Sequence, residues 1–182
     1  MRQIQQAIFE PADSLLICVD VQERLVPVMS EKERVLKNGN ILLDAARILS
    51  IPTLITEQYT KGLGKSVLNI EGFECFEKLS FSVFGEEQIY NKIIQKSYKK
   101  IIFFGIETHV CIFQSIQHAR MLDLEVVLIG DACSSRNLNN HHLALWTLSQ
   151  ENVQIIPTES FLFASIRTCK DDAFKAISAL VK

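Results

Sequence analysis

A chain of 182 residues, 48% hydrophobic and 22% charged, has the length and balance of a globular protein with a sizeable core. Its formal net charge of -2 supplies no basic field, which argues against nucleic acid or an anionic membrane surface as partner. No apolar run approaches the roughly 20 residues of a membrane span, and MRQIQQAIFEPAD lacks the apolar centre of a signal peptide, so the expected address is the cytoplasm.

The elements alternate in type along the chain. SLLICVDV, residues 14–21, is a nearly continuous apolar run, as a strand covered on both faces would be. Ser30-Glu31-Lys32-Glu33 reads as a capping box that opens a helix running to about Leu49. PTLITEQ, residues 52–58, is a second strand with proline where no ladder donor is lost. A loop, YTKGLGKSVLNIEG, leads to a short strand EKLSFSV, with Lys78 near its start, and then to a helix over 85–97. KKIIFFGI is the next strand, residues 111–122 a helix, and EVVLIGDA a strand. A helix over 138–151, a strand VQIIPTE and a closing helix over 171–182 complete the chain.

Repeated strand–helix–strand units with right-handed crossovers predict one α/β domain over residues 1–182: a doubly wound, mostly parallel six-stranded sheet with helices on both faces. Ligands in such sheets bind beyond the carboxyl ends of the strands, where strand order reverses. Here that point lies between SLLICVDV, which ends at Asp20, and KKIIFFGI, which leads into Cys111.

The five cysteines are odd in number and widely spaced, with no C-x-x-C, which argues against a disulfide framework or a zinc knuckle. Most are expected to be reduced, apolar filler. Cys111 differs, because it follows a strand and opens a helix, where backbone N–H groups favour a thiolate. Asp20 is either a turn residue or a carboxylate whose burial raises its pKa enough to accept a thiol proton. Free N–H groups between Gly105 and Val110 could then bind an oxyanion. A cation is needed beside these groups. His109 and Lys78 are the candidates, each with an ordinary surface role as the alternative.

The blocks ICVDVQERLVPVM, TEQYTKGLG, EKLSFSVF, GIETHVCIFQSIQHA and DACSSR, in that order, resemble the isochorismatase-like cysteine hydrolase superfamily over roughly residues 14–160. Within it they look most like the isochorismatase domain-containing proteins. The resemblance implies a catalytic Asp20, Lys78 and Cys111, a cis peptide at Ile106–Glu107, and an oxyanion hole from the N–H groups of Glu107 and Cys111. Asp20 would take the thiol proton, Cys111 would attack an amide or related acyl carbon, and water would release the thioester. Lys78 would orient Asp20 and depress the thiol pKa. Gln22, Gln58, Tyr59, Phe84 and His109 would line a pocket for a small, partly polar substrate. A homo-oligomer is also implied.

Where relatives that cleave nicotinamide carry metal-binding histidines, this chain has Thr56-Glu57-Gln58-Tyr59, so neither metal nor cofactor is expected. Retention of Cys111 argues against vinyl-ether cleavage. Gly62-Leu63-Gly64-Lys65-Ser66 imitates the tail of a phosphate loop but has Tyr59 where the first glycine belongs. His141 and His142 adjoin on a helix and face different sides. His118 reads as a packing residue, and Asp131 as the cap of the DACSSR turn. The competing reading is a non-catalytic oligomeric scaffold, or a thiol sensor, that retains the fold.

Overall fold

A computed structural model describes residues 7–182, so the first six residues of the N-terminal stretch read above lie outside the described residues. Six strands form one sheet: β1 (Ser14–Val19), β2 (Thr53–Gln58), β3 (Glu74–Lys78), β4 (Lys100–Ile106), β5 (Glu125–Ser134) and β6 (Gln154–Ile156). Their order is β3-β2-β1-β4-β5-β6 and every pairing is parallel. The chain winds outward from β1 to β3, returns to β4 on the other side of β1, and winds outward again. The reversal lies between β1 and β4, as expected.

Helices α1 (Lys32–Leu49), α2 (Thr60–Leu63), α3 (Glu87–Gln95), α4 (Phe113–Met121), α5 (Leu138–Gln150), α6 (Thr158–Ala164) and α7 (Phe174–Leu180) connect and flank the strands. α1 packs with α6 and α7, while α4 and α5 lie over β5. β1 is buried along its whole length, as are nearly all of β2 and β4, which explains why their sequences are apolar runs rather than alternations. Gly105 belongs here for steric reasons. Its φ is +124°, and a Cβ would lie 2.1 Å from the Val19 carbonyl oxygen, so a side chain would force β1 and β4 apart.

Several local expectations change. The capping box does not form: Glu31 is in a left-handed conformation with no side-chain cap bond, and its carboxylate pairs with Arg34 at 2.8 Å. The third strand starts upstream of EKLSFSV and overlaps only its first two residues, so Lys78 is the last residue of the strand and not near its first. VQIIPTE is cut short at Ile156 because Pro157 turns the chain into α6, a helix the periodicity did not reveal. Asp131 does not cap the DACSSR turn. β5 runs on to Ser134, and the Asp131 carboxylate accepts from the N–H and hydroxyl of Thr158 at the start of α6. All five cysteines are free thiols, but Cys75 and Cys169 are exposed instead of filling the core.

Candidate active site

At the carboxyl end of β1, Asp20 enters the left-handed region with φ 55°, a conformation that aspartate tolerates better than most side chains. Its backbone N–H still bonds Thr56 on the neighbouring strand, at 3.1 Å. The Thr56 hydroxyl donates to Asp20 Oδ1 at 2.8 Å and fixes the carboxylate plane. Lys78, from the end of β3, brings Nζ to 2.7 Å from Oδ2, and neither side chain has solvent exposure.

The Lys78 ammonium carries three protons and faces three other acceptors: Gln58 Oε1 at 2.7 Å and the carbonyls of Ser80 and Phe81 at 3.1 and 3.0 Å. Asp20 Oδ2 is thus held against the Lys78 ammonium and faces the Cys111 thiol. A buried carboxylate oxygen beside a thiol is placed to accept its proton.

Cys111 sits in a single π-helical turn, Thr108–Ile112, that continues directly into α4. The residue is 7% exposed. Its thiol meets both Asp20 and Lys78. Burial, followed by the Asp20 charge, pushes the thiol pKa up to about 12 against the opposing pull of Lys78. Burial likewise raises Asp20, with Lys78, Thr56 and the thiol acting the other way. Burial and the neighbouring Asp20 charge thus act on the thiol against the preformed thiolate expected from a helix N-terminus. Desolvation and a like-signed neighbour outweigh one lysine and one helix end.

The turn that carries Cys111 is held from several sides. The Ile106–Glu107 peptide is cis. The Glu107 carbonyl accepts from the N–H groups of Val110 and Ile112. The Glu107 carboxylate is buried and receives Arg136 through its backbone N–H at 2.9 Å, Nη2 at 2.7 Å and Nε at 3.2 Å. Burial works against the charge of Glu107, but these bonds to Arg136 prevail and hold its carboxyl below the usual range. The Thr108 hydroxyl donates to the Ser134 carbonyl at 3.0 Å and lies 2.8 Å from His141 Nδ1. With its one proton committed to Ser134, Thr108 must accept from His141, which assigns the proton to Nδ1. Burial, aided by Arg34 and His142, lowers the His141 pKa to about 4, so the ring is neutral.

The residues expected to line a pocket divide into two groups. Gln22 is buried and Gln58 half-buried, and both brace the protein. Gln22 donates to the carbonyls of Gln58 and Gly64 and accepts the Gln58 N–H, while the Gln58 amide holds Lys78 and the Leu79 carbonyl. Both were expected to touch substrate. The Gln22 carboxamide thus has both N–H groups and its oxygen engaged, whereas Gln58 keeps one amide N–H without a protein partner. Tyr59 is 49% exposed and borders a cleft of about 660 Å³ that also reaches Lys78. His109 bonds Ser135 at 2.9 Å and lines a second cavity of about 270 Å³ with Phe113, Leu143 and Ala144. Phe84 is half-buried against the core. His118, read as a packing residue, is exposed and meets the Ser82 hydroxyl at 3.0 Å.

Thr56, Thr108, Arg136 and His141 were not assigned to the site from sequence. For Arg136 a signal existed, because DACSSR marks a family block, but nothing local said that its arginine reaches Glu107. Among the described residues no cluster of three or more His, Cys, Asp or Glu side chains could hold a metal ion, and no helix is long and apolar enough to cross a membrane.

The open parallel sheet thus carries a buried Asp–Lys–Cys cluster at its switch point. The isochorismatase domain family model matches residues 14–160, and the chain belongs to that family. It is 34% identical to isochorismatase domain-containing protein 1 of Danio rerio over 175 residues, covering 94% of this chain but 62% of the relative's length. Isochorismatase domain-containing protein 2 of the same fish is 35% identical over 170 residues, covering 92% and 86%. Among solved structures, MAR1 ribonuclease from Caenorhabditis elegans superposes with a TM-score of 0.87 at 31% identity, covering 95% of this chain and 91% of that one.

Proposed function

We propose that the protein is a metal-independent cysteine hydrolase of a small amide or related acyl compound, working through a thioester on Cys111. The observation that carries this reading is the buried Asp20 carboxylate, whose Oδ2 lies 2.7 Å from the Lys78 ammonium and beside the Cys111 thiol. Its chemistry is that of a base awaiting a proton. The proton on Cys111 passes to Asp20 as sulfur attacks the acyl carbon, and the resulting oxyanion is received by the N–H groups of Glu107 and Cys111. The leaving amine takes the proton from Asp20 as the C–N bond breaks. Water then gives a proton to Asp20 and its hydroxide attacks the thioester. The carboxylic acid product leaves, and sulfur recovers the proton. Lys78 keeps Asp20 in place and balances its charge throughout.

Independence from metal is supported by the end of β2. Glu57, the carboxylate there, is engaged with the Ser66 N–H and Lys65, and no histidine adjoins it. We further propose a cytoplasmic homo-oligomer. The test is ammonia or amine release from a panel of small amides and ureides. Cys111→Ala should lower turnover by at least about 10³-fold and Asp20→Ala by about 10²–10⁴-fold. Unchanged activity in Cys111→Ala refutes the reading. Silence across the panel favours a scaffold or thiol sensor. RNA belongs in the panel because one structural relative is named a ribonuclease, and Cys111-independent RNA cleavage would also overturn the proposal.

A further inference from the structure

Glu107 poses an electrostatic problem for the proposed chemistry. The residue whose N–H is to receive a developing oxyanion also carries a carboxylate, and that carboxylate is only 6% exposed. A buried negative charge on the same residue opposes the formation of another beside it. Arg136 answers this with three donors on one carboxylate: its own backbone N–H, Nε and Nη2. The guanidinium is 64% exposed, so its positive charge remains partly hydrated while Glu107 is covered. The pair also ties the residue that follows β4 to the segment just past the end of β5.

We infer that Arg136 is a positioning residue for acyl transfer, which acts through Glu107 by neutralising the carboxylate next to the oxyanion site. The inference rests on the cysteine hydrolase reading. It separates two reactions of the same sulfur. Acetylation by p-nitrophenyl acetate forms an S–C(acyl) bond through a tetrahedral oxyanion and releases p-nitrophenolate. Alkylation by iodoacetamide forms an S–CH₂ bond by displacement of iodide and makes no oxyanion. Only the first depends on the charge beside the Glu107 N–H.

Both rates at Cys111 are measured at one pH, by intact mass and peptide mapping. Arg136→Met should slow acetylation at least tenfold and change alkylation less than twofold. Glu107→Gln/Arg136→Met, which buries no lone charge, should bring acetylation back to within threefold of wild type. Arg136→Lys, which keeps the charge, should stay within threefold and provides the test if the methionine variant does not fold. The inference is overturned if acetylation and alkylation fall together, if neither falls, if the double variant stays as slow as Arg136→Met, or if Arg136→Lys loses tenfold. Wild-type protein that alkylates at Cys111 but is never acetylated refutes the hydrolase reading itself, and this inference with it.

Discussion

Asp20 can serve as a base only if its two oxygens are held in different states. Thr56 supplies that difference, since its hydroxyl bonds Oδ1 and leaves Oδ2 to the thiol and Lys78. Thr56→Val keeps the shape and removes the donor. We expect a loss of about 1–3 kcal/mol in urea unfolding, the cost of leaving a buried acceptor without its partner. Because the Thr56 bond draws the Asp20 pKa downward, its loss should also move the acid limb of the pH–rate profile to higher pH. A variant with wild-type stability and an unmoved profile would show that Thr56 does not orient the base. Lys78 differs in kind. Removing one partner of a buried ion pair leaves a lone charge, which typically destabilises by several kcal/mol, so a Lys78 variant reports stability before chemistry.

At the scale of elements, the turn between β4 and α4 is braced by α5 through His141. The ring is 3% exposed and neutral, with its pKa lowered from 6.5 to about 4. The unfolded chain binds a proton on this residue at ordinary pKa, whereas the folded chain does not until about pH 4. The stability contribution is therefore complete above about pH 6.5 and is lost as pH falls toward 4, by roughly 3 kcal/mol in all. Urea midpoints between pH 7 and pH 4 should show this decline, and His141→Gln, which can still donate to Thr108, should flatten it. An identical decline in the variant would assign it to other groups.

Across the whole molecule, the parts legible in sequence were those governed by burial on both faces. SLLICVDV, PTLITEQ and KKIIFFGI announce central parallel strands because each is covered by helices, and their order predicts the switch point where Asp20 and Cys111 meet. The third strand was misplaced because β3 is the sheet edge and ECFEK is largely exposed, so no apolar run marks it. Gln22 was read as a ligand contact, although its carboxamide is spent on backbone groups, because a side chain near a site looks the same in sequence whether it faces substrate or backbone. The thiol pKa was read with the wrong sign because helix position is local information, whereas desolvation is a property of the closed fold. Arg136 and Glu107 are distant in sequence, and only the pairing of β4 with β5 brings them together.

The central claim, a thioester on Cys111 whose release needs Asp20, is most directly tested by intact mass spectrometry of Asp20→Asn. Loss of the Asp20 charge removes one cause of the raised thiol pKa, so a brief alkaline pulse of p-nitrophenyl acetate acetylates the sulfur without the base. Because asparagine cannot take a proton from water, the intermediate should then persist at neutral pH. The account predicts one added acetyl group that maps to Cys111, is discharged by hydroxylamine, and is absent from Asp20→Asn/Cys111→Ser. An adduct confined to the exposed Cys75 or Cys169, or none at all while wild-type protein continues to turn over, would contradict it.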